Sequence, residues 1–202
     1  MNDQRMKIRA DAARNTERVL RAASRCFAEH GANVPLEEVA KTAGLGVATV
    51  HRRFGGRTRL ASTVFVHALR DLNASIAVIA EFPEPAGALR LCLQELFERR
   101  AADRSLIDAI AGTDVSDIAL ERERAHLKAQ LNHVVDRAAS EGKLRNELES
   151  DDILPLALMV GTVADSPRLT GATSWRRYAN LILDAFFDED PVSPGQAHAK
   201  RP

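Results

Sequence analysis

Apolar positions recur at helical spacing along most of the chain and rarely alternate as they would in a strand. Val19, Leu20, Ala23, Cys26 and Phe27 mark a first helix from about Asn15 to His30, which Gly31 stops. Residues 1–14 are polar and basic and predict a loose arm ahead of it. After an Asn33-Val34-Pro35 turn, Pro35 suits the first position of a short second helix, Leu36 to Ala43. Gly44-Leu45-Gly46 separates it from a third, Val47 to Phe54, and Gly55-Gly56 breaks the chain again. A long fourth helix, Arg57 to about Ala80, carries the stripe Leu60, Val64, Ala68, Leu72, Ile76 and Ile79. The segment from Phe82 to Gly87, with Pro83 and Pro85, reads as a linker.

Five further segments follow the linker. Ala88 to Arg100 places Leu89, Leu93, Leu96 and Phe97 on one face, and a short helix from Ser105 to Ala111 ends at Gly112. Asp114 is a candidate cap for a long helix reaching Glu141, with the stripe Leu127, Leu131, Val134 and Ala138 and a stop at Gly142. Ile153 to Ala164 is apolar almost all round, which predicts burial on more than one side. Trp175 to Phe187 follows a Ser174 cap. The tail from Asp190 has few apolar anchors and is expected to be disordered. The expectation is an all-α protein. Residues 1–59 form the arm and a compact head, 60–189 a helical body joined to the head by the long helix, and 190–202 the tail.

Composition supports helices: of 202 residues 45% are hydrophobic and only 4% aromatic, with Ala, Leu and Arg abundant. Formal net charge is zero, yet its distribution is not even. Residues 1–60 hold 12 basic against 6 acidic side chains, and the remainder 16 against 22. A basic head on an acidic body is what a chain needs when only the head meets phosphate. Cys26 and Cys92 fall within apolar helical patterns and read as buried thiols, with no disulfide or metal spacing. The charged N-terminus lacks a signal-peptide core, and the apolar run from Leu154 to Ala164 is too short to span a bilayer. The expected location is the cytoplasm.

The stretch LEEVAKTAGLGVATVHRRF, Leu36 to Phe54, carries the chemistry. Two short helices joined by a tight glycine-containing turn make a helix-turn-helix. Ala43 and Gly44 are small where the helices cross, and Val50 and Phe54 face the core. Val47, Ala48, Thr49, His51, Arg52 and Arg53 then look outward. Small residues let a helix settle into the major groove, Thr49 suits a base or phosphate hydrogen bond, and the arginines suit guanine edges or backbone oxygens. Pro35 and Leu36, opening the second helix, and Arg57, opening the fourth, complete the candidate DNA-contacting set.

Residues 15–65 resemble the N-terminal domain of TetR-family regulators. VLRAASRCFAEHG matches the first helix, VPLEEVAKTAGLGVATVHRRF the helix-turn-helix and GGRTRL the opening of the fourth helix. The C-terminal run around Asp151-Asp152-Ile153-Leu154 and SWRRYANLILDAFF resembles SbtR-like sensor domains. The resemblance implies a homodimer whose last two helices form a four-helix bundle with their symmetry mates. Leu154, Leu158, Gly161, Trp175, Tyr178, Leu181, Ile182 and Ala185 are the candidate interface. It also implies a small ligand in the body that shifts the fourth helix and splays the reading helices. The family usually has Tyr where this chain has His51, and Lys-Glu where it has Arg57-Thr58. Arg57 can replace that lysine as a phosphate clamp.

The ligand is less legible. His126, Gln130 and His133 flank the apolar stripe of the long body helix, either as pocket polar groups or as a solvated edge. Phe65, Leu69, Leu93, Phe97 and Met159 are candidate cavity walls, or core. Trp175 reads as a packing or dimer anchor. No metal site or cofactor is expected, since His126 and His133 lie two turns apart without a third ligand. No GxSxG, GxGxxG, phosphate-binding loop or His-Glu-x-x-His is present, so no enzyme is expected. The expected partners are double-stranded operator DNA, a second copy and an unidentified small molecule, with no membrane. Control by a partner protein, or action without a ligand, is the alternative.

Overall fold

The structure is a computed structural model that describes residues 2–111, 117–142, 144, 148–166 and 175–187. Helices account for nearly all of them: α1 (Asn2–His30), α2 (Leu36–Ala43), α3 (Val47–Phe54), α4 (Arg57–Ala80), α5 (Pro85–Ala102), α6 (Ser105–Ala111), α7 (Ile118–Ser140), α8 (Ile153–Ala164) and α9 (Trp175–Phe186). A single 3-10 turn, Ser150–Asp152, leads into α8, and Leu144 and Phe187 meet in an isolated antiparallel bridge. The all-α class expected from the sequence holds.

Three boundaries differ from expectation, each for a local reason. The N-terminal segment is not a loose arm, because α1 begins at Asn2; its Ala, Arg and Lys content costs a helix little. The linker is shorter than expected, because Pro85 opens α5 rather than preceding it. The long body helix is capped by Asp117, whose side chain accepts from the Ala119 backbone N–H at 2.8 Å. Asp114, Gly112, Ser174 and the tail from Asp190 lie outside the described residues.

α4 is the spine. It has the length and apolarity of a membrane span, but its apolar side is occupied by helices of this chain. Leu60, Phe65, Leu69, Leu72 and Ile76 are fully buried along it. Near its start Phe65 meets Phe27 of α1, ring centroids 6.1 Å apart. Along the rest it runs parallel to α7, and polar links stitch the two together. Ser62 Oγ donates to Asp117 Oδ2 at 2.5 Å, Asn73 Nδ2 donates to the Glu123 backbone carbonyl at 3.1 Å, and Gln130 Nε2 donates to Asn73 Oδ1 at 3.4 Å. Arg137 donates to the Ala80 carbonyl at the far end. Ser62 and Asn73 are each buried, so these bonds satisfy groups that would otherwise be costly to keep from water.

The Ser62 hydroxyl, and then the Ala119 backbone N–H, hold the Asp117 carboxyl below its ordinary value of 3.8. A depressed carboxylate contributes stability above its unfolded value and loses that contribution as pH falls through its folded value. Ser62→Ala is therefore expected to lower the urea midpoint at pH 7 and to change it much less at pH 3. Equal losses at both pH values would remove Asp117 ionisation from the account.

Candidate nucleic-acid interface and body cavities

The head is built to hold α3 outward. Gly44 ends α2 with φ of +64°, and the Leu45 N–H reaches back to the Ala40 carbonyl at 3.0 Å. Arg18 Nη2 donates to the Ala43 carbonyl at 2.7 Å, and a Cβ on Gly44 would lie 2.9 Å from that nitrogen. The left-handed backbone at residue 44 favours glycine, whereas the Arg18 guanidinium that a Cβ would meet is the mobile end of a long side chain. Beyond the turn Val50 is completely buried and Phe54 half-buried. Val47, Ala48, His51, Arg52 and Arg53 are exposed and Thr49 is half-buried. Val50 faces inward and Phe54 packs partly against the core, so the opposite side of this helix of about 12 Å is open to a partner. No carboxylate among the described residues claims Arg52 or Arg53.

The flanks of α3 divide between roles. Pro35 is exposed at the start of α2, but Leu36 is only 9% exposed and its side chain belongs to the core. Leu36 therefore leaves the DNA-contacting set as a side chain. Arg57, the expected phosphate clamp, makes contacts within the chain: its Nη1 donates to the Ala32 carbonyl at 3.0 Å and to Asn33 Oδ1 at 3.2 Å, bracing α4 against the α1–α2 loop. A basic cleft of about 380 Å³ between α1 and α2, walled by Arg18, Arg21, Arg25 and Lys41, escaped the sequence reading. The spacing of those three arginines along α1 was the signal.

Cavities open between the described helices of the body. One, about 550 Å³, lies between α5, α6, α7 and α8, with Leu96, Leu127, Leu131, Ile153 and Ala157 in its walls and Arg124 and Lys128 among its polar groups. Another, about 450 Å³, lies between the end of α4, α5 and α9 beside Phe97 and Trp175. At the second, Arg176 stacks 4.4 Å from the Trp175 ring and pairs with Glu98 at 2.8 Å.

The profile of bacterial regulatory proteins of the tetR family matches residues 19–64, and that of the transcriptional regulator SbtR-like C-terminal domain matches residues 84–185. The chain belongs to the TetR family. A TetR regulator from Mycobacterium vanbaalenii is 27% identical with a TM-score of 0.57, over 90% of this chain and 99% of that one. One from Streptomyces coelicolor is 24% identical with a TM-score of 0.58, over 86% and 98%. AibR, solved with isovaleryl coenzyme A and operator DNA, is 13% identical with a TM-score of 0.68, over 86% and 98%. No curated protein matches the sequence.

Within this TetR-family body the candidate ligand residues scatter. Phe65, Leu69 and Leu93 are fully buried core, and His126 and His133 are exposed on α7. Gln130 turns to Asn73, Met159 is 57% exposed on α8, and Phe97 borders the cavity beside α9. The candidate dimer residues divide similarly. Leu158, Tyr178 and Leu181 are exposed apolar groups, Ala185 is exposed, and Leu154 and Ile182 are half-buried. Gly161 and Trp175 instead face into the protomer. A Cβ on Gly161 would collide with the Arg100 guanidinium, so its smallness serves the α5–α8 crossing. Arg57→Ala is expected to cost about 1 kcal/mol of stability, the worth of its links to the loop. Arg52→Ala, made in an exposed side chain, is expected to leave stability unchanged. Urea denaturation of the two variants checks both values.

Proposed function

We propose that this TetR-family chain is a homodimeric, sequence-specific regulator that leaves a palindromic operator when a small ligand enters the body. The observation that carries the reading is the exposed α3 face: small at Val47 and Ala48, hydrogen-bonding at Thr49, and cationic at Arg52 and Arg53, which no carboxylate among the described residues claims. In the major groove such a face reads base edges, while His51, Pro35 and Arg57 meet the phosphates on either side. Two copies must present their α3 helices about 34 Å apart to enter successive grooves.

Exposed Leu158 and Met159 on α8, with Tyr178 and Leu181 on α9, support pairing through these helices. α8 is buried on one side by its own chain, through Ile153, Ala157, Val160 and Gly161. Its remaining apolar side is left for the second copy. The cavity of about 550 Å³ is of ligand size and favours the ligand-responsive reading over control by a protein partner. AibR, which was solved with both an acyl-coenzyme A and operator DNA, gives a precedent in this fold. The protein acts by binding rather than by catalysis, on DNA in the cytoplasm.

Selection of duplexes from a random pool at stated salt is expected to enrich an inverted repeat. Recovery of no motif would overturn the regulator reading. Arg52→Ala or Thr49→Ala should weaken binding to the selected site by at least about tenfold, as expected for loss of a base contact. Leu158→Glu combined with Leu181→Glu should yield a folded monomer by light scattering. A variant that remained dimeric would move the interface elsewhere.

A further inference from the structure

We infer that the cavity between α5, α6, α7 and α8 takes an uncharged, mainly hydrocarbon molecule and discriminates against anions and cations alike. The inference rests on the ligand-responsive reading and names the ligand's chemistry. Leu96, Leu127, Ile153 and Ala157, each buried, close the floor of the cavity. Half-buried Ile110 and Leu154, with exposed Ala125 and Pro155, give it apolar walls that a ligand would cover. Among the described lining residues only Ser150 is polar without being charged, so a ligand meets one neutral hydrogen-bonding side chain.

The charges around the cavity are already matched. Glu121, Arg124, Lys128 and Asp151 are the charged groups among the described lining residues, and their charges cancel. Arg124 engages Glu121 through Nη1 and donates through Nε to the Ala109 carbonyl at 2.7 Å, while its Nη2 is buried. Lys128 Nζ lies 3.0 Å from Asp151 Oδ1. Glu121, Lys128 and Asp151 are 60%, 64% and 75% exposed, which puts them at the mouth rather than among the apolar walls. An ionised ligand therefore finds no counter-charge that is free to receive it. Its head keeps its water only by staying at the mouth, which draws the adjoining methylenes off the walls. Carried inward, the charge loses that water with nothing to replace it. An uncharged molecule bears neither cost, and its whole apolar surface can leave water. The discrimination holds for both signs, because each pair presents one carboxylate and one cation.

The helix that walls the cavity also holds the spine. Ala125, Lys128 and Leu131 present one part of the α7 surface to the cavity, while Glu123 and Gln130 present another to Asn73 of α4. A ligand that fills the cavity therefore bears on the helix that positions α4.

Isothermal titration of the full-length protein at neutral pH with decanol, decanoate and decylamine, each below its solubility and micelle-forming limits, tests the inference. Decanol is expected to bind at least about tenfold tighter than either ion, the cost of drawing about two methylenes off the walls. Asp151→Asn leaves Lys128 unmatched, and should tighten decanoate about threefold while decanol is unchanged. Lys128→Gln should do the same for decylamine. Both positions are exposed, so neither substitution is expected to disturb the fold. Binding of decanoate or decylamine as tight as that of decanol overturns the inference, and so does absence of decanol binding. A decanoate affinity that Asp151→Asn leaves unaltered overturns it too, since charge balance is then not the selector. Leu154→Trp at the cavity wall should weaken decanol, and unaltered decanol binding would place the ligand elsewhere. These titrations contain no DNA, so their failure leaves the operator reading standing. Decanol that binds as expected but leaves the selected DNA complex intact upholds this site and contradicts release.

Discussion

The seam between α4 and α7 is the constraint on which the rest depends. α4 begins in the head, where Leu60 and Phe65 pack towards α1, and ends in the body. Apolar packing along such a seam resists separation but is indifferent to small slides, since hydrophobic contact is not directional. Hydrogen bonds fix the register. Ser62 with Asp117, Asn73 with Glu123 and Gln130, and the Ala80 carbonyl with Arg137 set three levels along two parallel helices. Asp117 serves two ends at once, holding Ser62 with one oxygen and capping α7 with the other. The position of the head follows from where these bonds place α4.

A second tie runs around the other side. Arg100 and Arg104 both reach Asp165 at the end of α8, at 2.8 and 3.2 Å. The Arg104 N–H donates to the Ala28 carbonyl of α1 at 3.1 Å. The helices lining the larger cavity therefore lead to the head by two routes, α7 through α4 and α8 through the α5–α6 corner. Both routes consist of short polar contacts between otherwise apolar helices, which suits two discrete arrangements better than a continuous deformation.

Much of this was legible in the sequence because the head is local. Glycines at 44, 46, 55 and 56 punctuate short amphipathic segments, so α2, α3 and α4 begin and end where pattern and turn chemistry place them. The outward face of α3 follows from Val50 and Phe54 alone. The body resisted for the opposite reason. A Leu on a helical stripe packs identically whether it faces a core or a cavity, so Leu93 and Leu127 are indistinguishable until neighbouring helices are placed. Gly161 shows the same limit: a small residue in an apolar helix suggests a partner helix, and here the partner is the Arg100 side chain of the same chain.

The seam's control over the head can be measured by the distance between nitroxides on a Glu38→Cys substitution in the two protomers. Glu38 is exposed on α2, whereas Cys26 and Cys92 are buried, and burial pushes the Cys92 thiol up to about 12, out of reach of the label. Pulsed electron resonance should give one narrow distance distribution in this background. Adding Ser62→Ala and Asn73→Ala together should broaden or shift it while the dimer persists. An unchanged distribution would mean that apolar packing alone positions the head, and would contradict the account.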